Sequence, residues 1–151
     1  MENAEHILKV LKEVISSDRK RLLEFYAGSD NYAKDLARHF KHLEWVSTNI
    51  TNKDFPKITC DLVFTANTFH LMEWKQCKSW MKTLGARLRE GSQVFIYGPF
   101  QESGVRATND INRAMIKNGF ALYKDFEMPS NKHLLVYTRL IFMKDSLSNK
   151  K

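Results

Sequence analysis

With 151 residues, 43% of them apolar and 27% charged, the chain has the size and composition of one soluble globular domain that closes its core without disulfide or metal staples. No apolar run approaches the ~20 residues that cross a bilayer. The formal charge of +7 and pI of about 9.4 allow a nucleic-acid-associated protein on charge alone, but they speak first to a Lys-rich solvated surface, to solubility and nonspecific binding, rather than to a defined site. The basic residues are scattered, with local groups at Arg19-Lys20-Arg21 and Lys75/Lys78/Lys82, and neither an RNA-binding aromatic motif nor a helix-turn-helix pattern is present.

In chain order, residues 2–17 read as an amphipathic helix, with Ile7, Leu8, Leu11, Val14 and Ile15 at helical spacing and Ser16-Ser17-Asp18 as its stop. The N-terminus lacks the apolar core of a secretory signal, which points to the cytoplasm. Arg21 to Tyr26 reads as a short strand, Asn31 to Phe40 as a second helix, and Leu43 to Thr48 as a second strand. Asp61 to Ala66 is nearly all apolar, as expected of a strand buried on both faces. The strongest helix spans about Trp74 to Leu88, where Trp74, Cys77, Met81, Leu84 and Leu88 step by three and four. A strand at Gln93 to Tyr97 follows, then a helix from Thr108 to Asn118, with Thr108 or Asp110 as N-cap and Gly119 as stop. Leu122 to Phe126 and Leu134 to Leu140 read as an antiparallel hairpin across Pro129-Ser130-Asn131-Lys132. One domain over residues 1–143 and a polar tail at 144–151 account for the chain.

Strands alternating with helices, then a closing hairpin, predict an α/β sandwich with a mostly parallel sheet. Ligands of such sheets sit beyond the C-terminal strand ends, at the switch point. Four segments therefore matter: Glu24 to Ser29, Thr48 to Ile50, Ala66 to His70, and Tyr97 to Phe100. Asn67 and His70 are candidates for substrate contact, His70 as a possible base; equally, Asn67 can cap a turn and His70 pack beside the next helix. Tyr97 reads as a half-buried strand tyrosine, and Trp45 packs the second strand. Trp74, Trp80, Met81 and Cys77 read as core. Cys60 and Cys77 suit a reducing compartment and have no metal-ligand spacing, so no metal is expected. Asn49-Ile50-Thr51 matches a glycosylation sequon that has no meaning without secretion. No Ser-His-Asp order, HExxH or Walker loop occurs.

The segments "LLEFYAG", "HLEWVSTN", "DLVFTANTFHLMEWKQ", "VFIYGPF" and "MPSNKHLLVYTR" occur in this order. Together they resemble the small methyltransferase-like family that includes methyltransferase-like protein 26, over most of residues 2–139. The resemblance implies a Rossmann-like fold and S-adenosylmethionine-dependent methyl transfer to an acceptor, small molecule or protein, that the motifs do not name. It implies Glu24, Gly28 and Asn49 as cofactor-binding residues, with Asn67 and His70 facing the acceptor.

The cofactor loop departs from the family pattern. Tyr26 stands at a position that is small in the family, Asp30 at a glycine position, and Asn49 where an acid would take the ribose hydroxyls. A carboxylate at Asp30 would face the methionine carboxylate of the cofactor, and two like charges ~4 Å apart cost on the order of 4 kcal/mol at an effective dielectric of ~20. Asp30 also suits the start of a helix as N-cap. Only about ten residues separate Asn49 from Cys60, too few for a helix and a further strand. The segment after Phe100 is short as well. The expectation is a shortened methyltransferase with weak or lost activity; the rival is a noncatalytic binding protein on the same fold.

Overall fold

The first helix forms because its apolar residues fall on one stripe. In the computed structural model, which describes residues 4–28, 31–51, 55–100 and 107–141, helix α1 spans Ala4–Val14 and buries Ala4, Ile7, Val10 and Leu11. Strand β1 follows at Arg21–Tyr26, then a short helix α2 at Ala33–Leu36 that tightens into a 3-10 turn at Ala37–His39. Strands β2 (Glu44–Asn49) and β3 (Leu62–Ala66) come next, then helix α3 (Trp74–Arg87), strand β4 (Gln93–Gly98) and helix α4 (Thr108–Lys117). The chain closes with β5 (Phe120–Met128) and β6 (Lys132–Arg139).

The strands form one six-stranded sheet in the order β2-β1-β3-β4-β6-β5. The β1–β2, β1–β3 and β3–β4 pairs are parallel, while β6 runs antiparallel to both β4 and β5. This is the expected parallel sheet closed by a hairpin. The order reverses at β1: the chain steps outward to β2, then returns past β1 to β3. The crevice at the C-terminal ends of β1 and β3 is thus the switch point. Strand β2 is the outer edge of the described sheet, in accord with a segment too short for another strand.

Alternation along the strands feeds two cores. Leu22, Phe64, Phe95, Tyr97 and Val136 point to the α1–α2 side, and Leu23, Phe25, Val63, Ile96 and Leu135 to the α3–α4 side. Strand β3 is buried at all five positions, as its apolar run requires. The hairpin turns through Ser130 and Asn131, both in the left-handed region at φ 63° and 59°, which matches the twist of the flanking strands. Edge strand β5 carries the exposed charges Lys124 and Glu127, one on each face, which oppose strand addition. No helix among the described residues is long and apolar enough to cross a membrane.

Two capping expectations are corrected. The N-cap position of α4 is Ala107, not Thr108 or Asp110, and no side chain among the described residues caps it. The N-cap position of α2 is Tyr32; Asp30 lies outside the described residues, as does the tail from 144. The C-terminal ends of α3 and α4 are joined by buried Arg139. Its guanidinium donates to the Gly85 carbonyl at 2.9 and 3.2 Å, which the end of α3 leaves open, and to the Gly119 carbonyl just past α4 at 3.0 Å. Gly85 lets α4 come this close: a Cβ there would lie 2.4 Å from the Asn118 carbonyl oxygen. Gly→Ala inside a helix normally gains up to ~1 kcal/mol from propensity. Here the clash is with backbone and wins. Gly85→Ala is expected to destabilise by about 1–3 kcal/mol, measured by urea unfolding; unchanged or increased stability would refute this packing.

Candidate functional site

Glu24 is the fourth residue of β1 and points to the α1–α2 side, where it is 1% exposed. Three donors hold its carboxylate. The Tyr32 backbone N–H donates at 2.6 Å, the Trp45 indole N–H at 3.0 Å and the Ser47 hydroxyl at 2.8 Å. The Tyr32 bond caps the first turn of α2 from a distance, so the acid stands in for a local N-cap side chain. The other two bonds reach β2. One buried carboxylate therefore fixes the spacing of β1, β2 and the start of α2.

Between those anchors the chain turns at Gly28, with φ +63°, a conformation that side chains resist. A Cβ at Gly28 would meet no atom within 4 Å among the described residues beyond its chain neighbours. The glycine is there for its backbone angle, and the space above it is open to a ligand. Asn49 ends β2 opposite Tyr26. Its side-chain nitrogen donates to the Gly28 carbonyl at 3.4 Å, and its oxygen accepts from the Thr51 N–H at 2.9 Å and the Thr51 hydroxyl at 2.6 Å. Ile50 N–H donates to Tyr26 carbonyl at 2.7 Å. The two strand-end turns are thus tied together through Asn49, which places Glu24, Gly28 and Asn49 at one end of the β1–β2 pair. Glu24 acts there by holding the turn, because its oxygens are already engaged.

The end of β3 forms the other wall. The Thr65 hydroxyl donates to the Phe25 carbonyl at 2.8 Å and lies 2.7 Å from the Thr68 hydroxyl. With its proton so engaged, Thr65 accepts from Thr68. Asn67 takes φ +57°, which Asn tolerates better than most residues. Its N–H donates to the Tyr97 carbonyl at 2.8 Å and its amide nitrogen to the Tyr32 hydroxyl at 3.3 Å. Asn67 is therefore a turn residue that also spans the crevice toward α2. His70 sits in a 3-10 turn at Phe69–Leu71 and is exposed on the same edge, beside Leu71, itself 65% exposed. Tyr97 is buried rather than half-buried, with the Lys132 ammonium 5.5 Å from its ring centroid.

Beside Asn49, Ile50 and Thr51 a cavity of about 290 Å³ opens on the α3 side, floored by Phe25, Met72 and Trp80 and edged by Gln76, Ser79 and Thr83. It approaches the ~300 Å³ at the low end for ligand pockets. The buried Trp80 indole N–H has no hydrogen-bond partner among the described residues. Phe55 closes one side, with its ring 5.1 Å from Phe25 and the Arg87 guanidinium 5.4 Å away. This apolar slot with a polar rim suits a flat heteroaromatic group. No group of three or more potential metal ligands occurs among the described residues. Sequence reasoning missed Tyr32, Trp45 and Ser47, whose roles depend on the β1–β2 register; Ile50, Met72 and Trp80 were legible only as apolar residues.

Glu24→Ala would leave three donors without their acceptor. It is expected to destabilise by ~3 kcal/mol or more, read from denaturant midpoints, and a loss below ~1 kcal/mol would show that the carboxylate is not a fixed anchor. Burial, with Tyr32 adding, pushes the Tyr97 hydroxyl from 10.0 up to about 12. A raised value means that the folded state holds the proton longer. The associated stability is fully present below pH 10 and is lost as pH rises from 10 to about 12. Tyr97→Phe is expected to flatten part of that decline; an unchanged slope in urea unfolding across this range would place Tyr97 in water.

Comparison with known proteins agrees with this architecture. Residues 50–105 match the model of a protein family of unknown function (DUF938). Among solved structures, the N-methyltransferase NodS from Bradyrhizobium japonicum superposes with a TM-score of 0.66 at 12% identity, covering 93% of this chain and 96% of that one. The pyocyanin biosynthetic protein PhzM superposes with a TM-score of 0.65 at 9% identity, covering 92% and 56%. Human N-acetylserotonin methyltransferase, solved in complex with S-adenosylmethionine, gives 0.64 at 9% identity, covering 92% and 52%. The chain spans little more than half the length of the latter two. The fold is that of a Rossmann-like methyltransferase.

Proposed function

We propose that the chain belongs to the small methyltransferase-like family that includes methyltransferase-like protein 26, and that it binds S-adenosylmethionine at the C-terminal edge of β1, β2 and β3 to methylate an acceptor. The observation that carries this reading is the open Gly28 turn, held at a positive φ between Glu24 and Asn49 at the switch point. Gly28 would let the cofactor's amino-acid end approach the backbone, Asn49 would take the ribose hydroxyls, and the slot at Ile50, Met72 and Trp80 would hold the adenine. When bound, the cofactor supplies an activated methyl group on a sulfonium.

Methyl transfer to a good nucleophile needs mostly alignment. The crevice walls provide it: Asn67 is locked by its bonds to Tyr32 and Tyr97 and would orient the acceptor, and His70 on the rim could accept its proton. Binding is expected to be weaker than in an enzyme with a ribose-binding acid, because a neutral amide replaces a charge-assisted partner and Asn49 already bonds Gly28 and Thr51. Activity is accordingly expected to be low.

Calorimetric titration with S-adenosylhomocysteine tests the reading: saturable binding is expected, and none up to millimolar concentration would contradict it. Gly28→Ala sharpens the test. Its Cβ meets nothing among the described residues, so the expected stability cost is the ~1–2 kcal/mol of a left-handed residue. The methyl group would nevertheless occupy the space where the cofactor approaches, and a loss of affinity of about tenfold or more is expected. Full affinity in the variant would move the cofactor away from this turn. Binding without turnover on any acceptor would favour a noncatalytic binding protein.

A further inference from the structure

A second cavity lies at the opposite, N-terminal edge of the sheet. It measures about 610 Å³, and six cations face it: Arg19, Lys20, Arg21, Lys57, Arg87 and Arg89. Three carboxylates, Glu44, Asp61 and Glu90, share the wall, which leaves a formal excess of three positive charges. Two of the acids are engaged internally. Glu44 accepts from the Arg21 guanidinium at 2.9 Å, and Asp61 accepts the backbone N–H groups of Lys20 and Arg21 at 2.9 and 3.0 Å. Lys20, Lys57, Arg87 and Arg89 are exposed and make no ion pair among the described residues. Arg19 adds a buried Nε–H with no hydrogen-bond partner among the described residues, a donor that an anion can satisfy. Pro56, Ile58 and Leu88 supply an apolar flank.

We propose that this cavity binds a small phosphate-bearing molecule with an apolar or heterocyclic body, at a site distinct from the C-terminal crevice. Excess charge of this size suits a diphosphate better than a single carboxylate, and arginine forks match phosphate oxygens. A concave wall focuses the field of the cations on the ligand. Cys60 in the same wall does not compete as an anion, because burial and then Asp61, against the opposing Arg21, push its thiol up to about 11. The volume falls within the ~300–1,000 Å³ of small-molecule sites. The site does not depend on the methyltransferase reading, since none of its six cations lines the C-terminal crevice, although Phe55 and Pro56 border both cavities.

The test is calorimetric titration of the full chain with uridine diphosphate and with inorganic pyrophosphate, each repeated with excess S-adenosylhomocysteine. Saturable binding of both is expected, tighter for uridine diphosphate and unaffected by S-adenosylhomocysteine. The double variant Lys57→Glu/Arg89→Glu changes two exposed residues, so its melting temperature should hold while affinity for both ligands falls by about tenfold or more. Absence of binding, unchanged affinity in the variant, or displacement by S-adenosylhomocysteine would overturn the proposal. So would a single-stranded oligonucleotide that binds far more tightly than uridine diphosphate at the same residues, because the surface would then serve nucleic acid.

Discussion

The structure depends on one buried carboxylate. Glu24 lies in the middle of a sheet face otherwise filled by Leu22, Phe64 and Phe95, where an acid without partners would be excluded. It is tolerated because the Tyr32 N–H, the Trp45 indole and the Ser47 hydroxyl converge on it. Those donors come from three places in the chain, so satisfying the charge also sets where β2 and α2 sit relative to β1. The turn at Gly28 spans the gap between these fixed points. A loop held so firmly at both ends can place backbone groups near a ligand without ordering on binding.

The second constraint is brevity. With β2 at the edge of the described sheet, the α3 side of β1 and β2 has no further helix among the described residues to cover it. Phe55 fills part of that space by packing on Phe25 under Arg87. Phe55 and Pro56 line both cavities, so a few residues of connecting loop divide what would be one long groove. The apolar half lies by the strand C-termini and the basic half by their N-termini. This partition follows from which strand ends carry charge: Arg21, Glu44 and Asp61 begin or precede strands, whereas Asn49 and Asn67 lie at strand ends.

Much of the fold was legible in the sequence because periodicity and burial agree. β1 starts and ends where the apolar run does, and α3 follows the stripe through Cys77, Met81 and Leu84. The hairpin was legible from its turn residues, and the missing strand from simple chain length. The caps were not. Thr108 and Asp110 are good local candidates, yet Ala107 holds the position, and α2 is capped by a residue eight positions earlier. The family resemblance singled out Glu24 and Asn49, but their bonding was hidden until the β1–β2 register was known. Asn49 stands at the expected place and binds the neighbouring turn. The basic cavity was illegible, because Arg19, Lys57 and Arg89 are scattered in sequence and meet only when three strand starts align.

The central claim is that the turn anchored by Glu24 is a cofactor site at the switch point. The most direct measurement is backbone amide chemical-shift mapping as S-adenosylhomocysteine is added. The account predicts saturating shifts concentrated at Gly28, Asn49, Ile50, Thr51 and Asn67, with Lys20, Lys57 and Arg89 unmoved. Shifts confined to the N-terminal edge, or none at these turns, would contradict it.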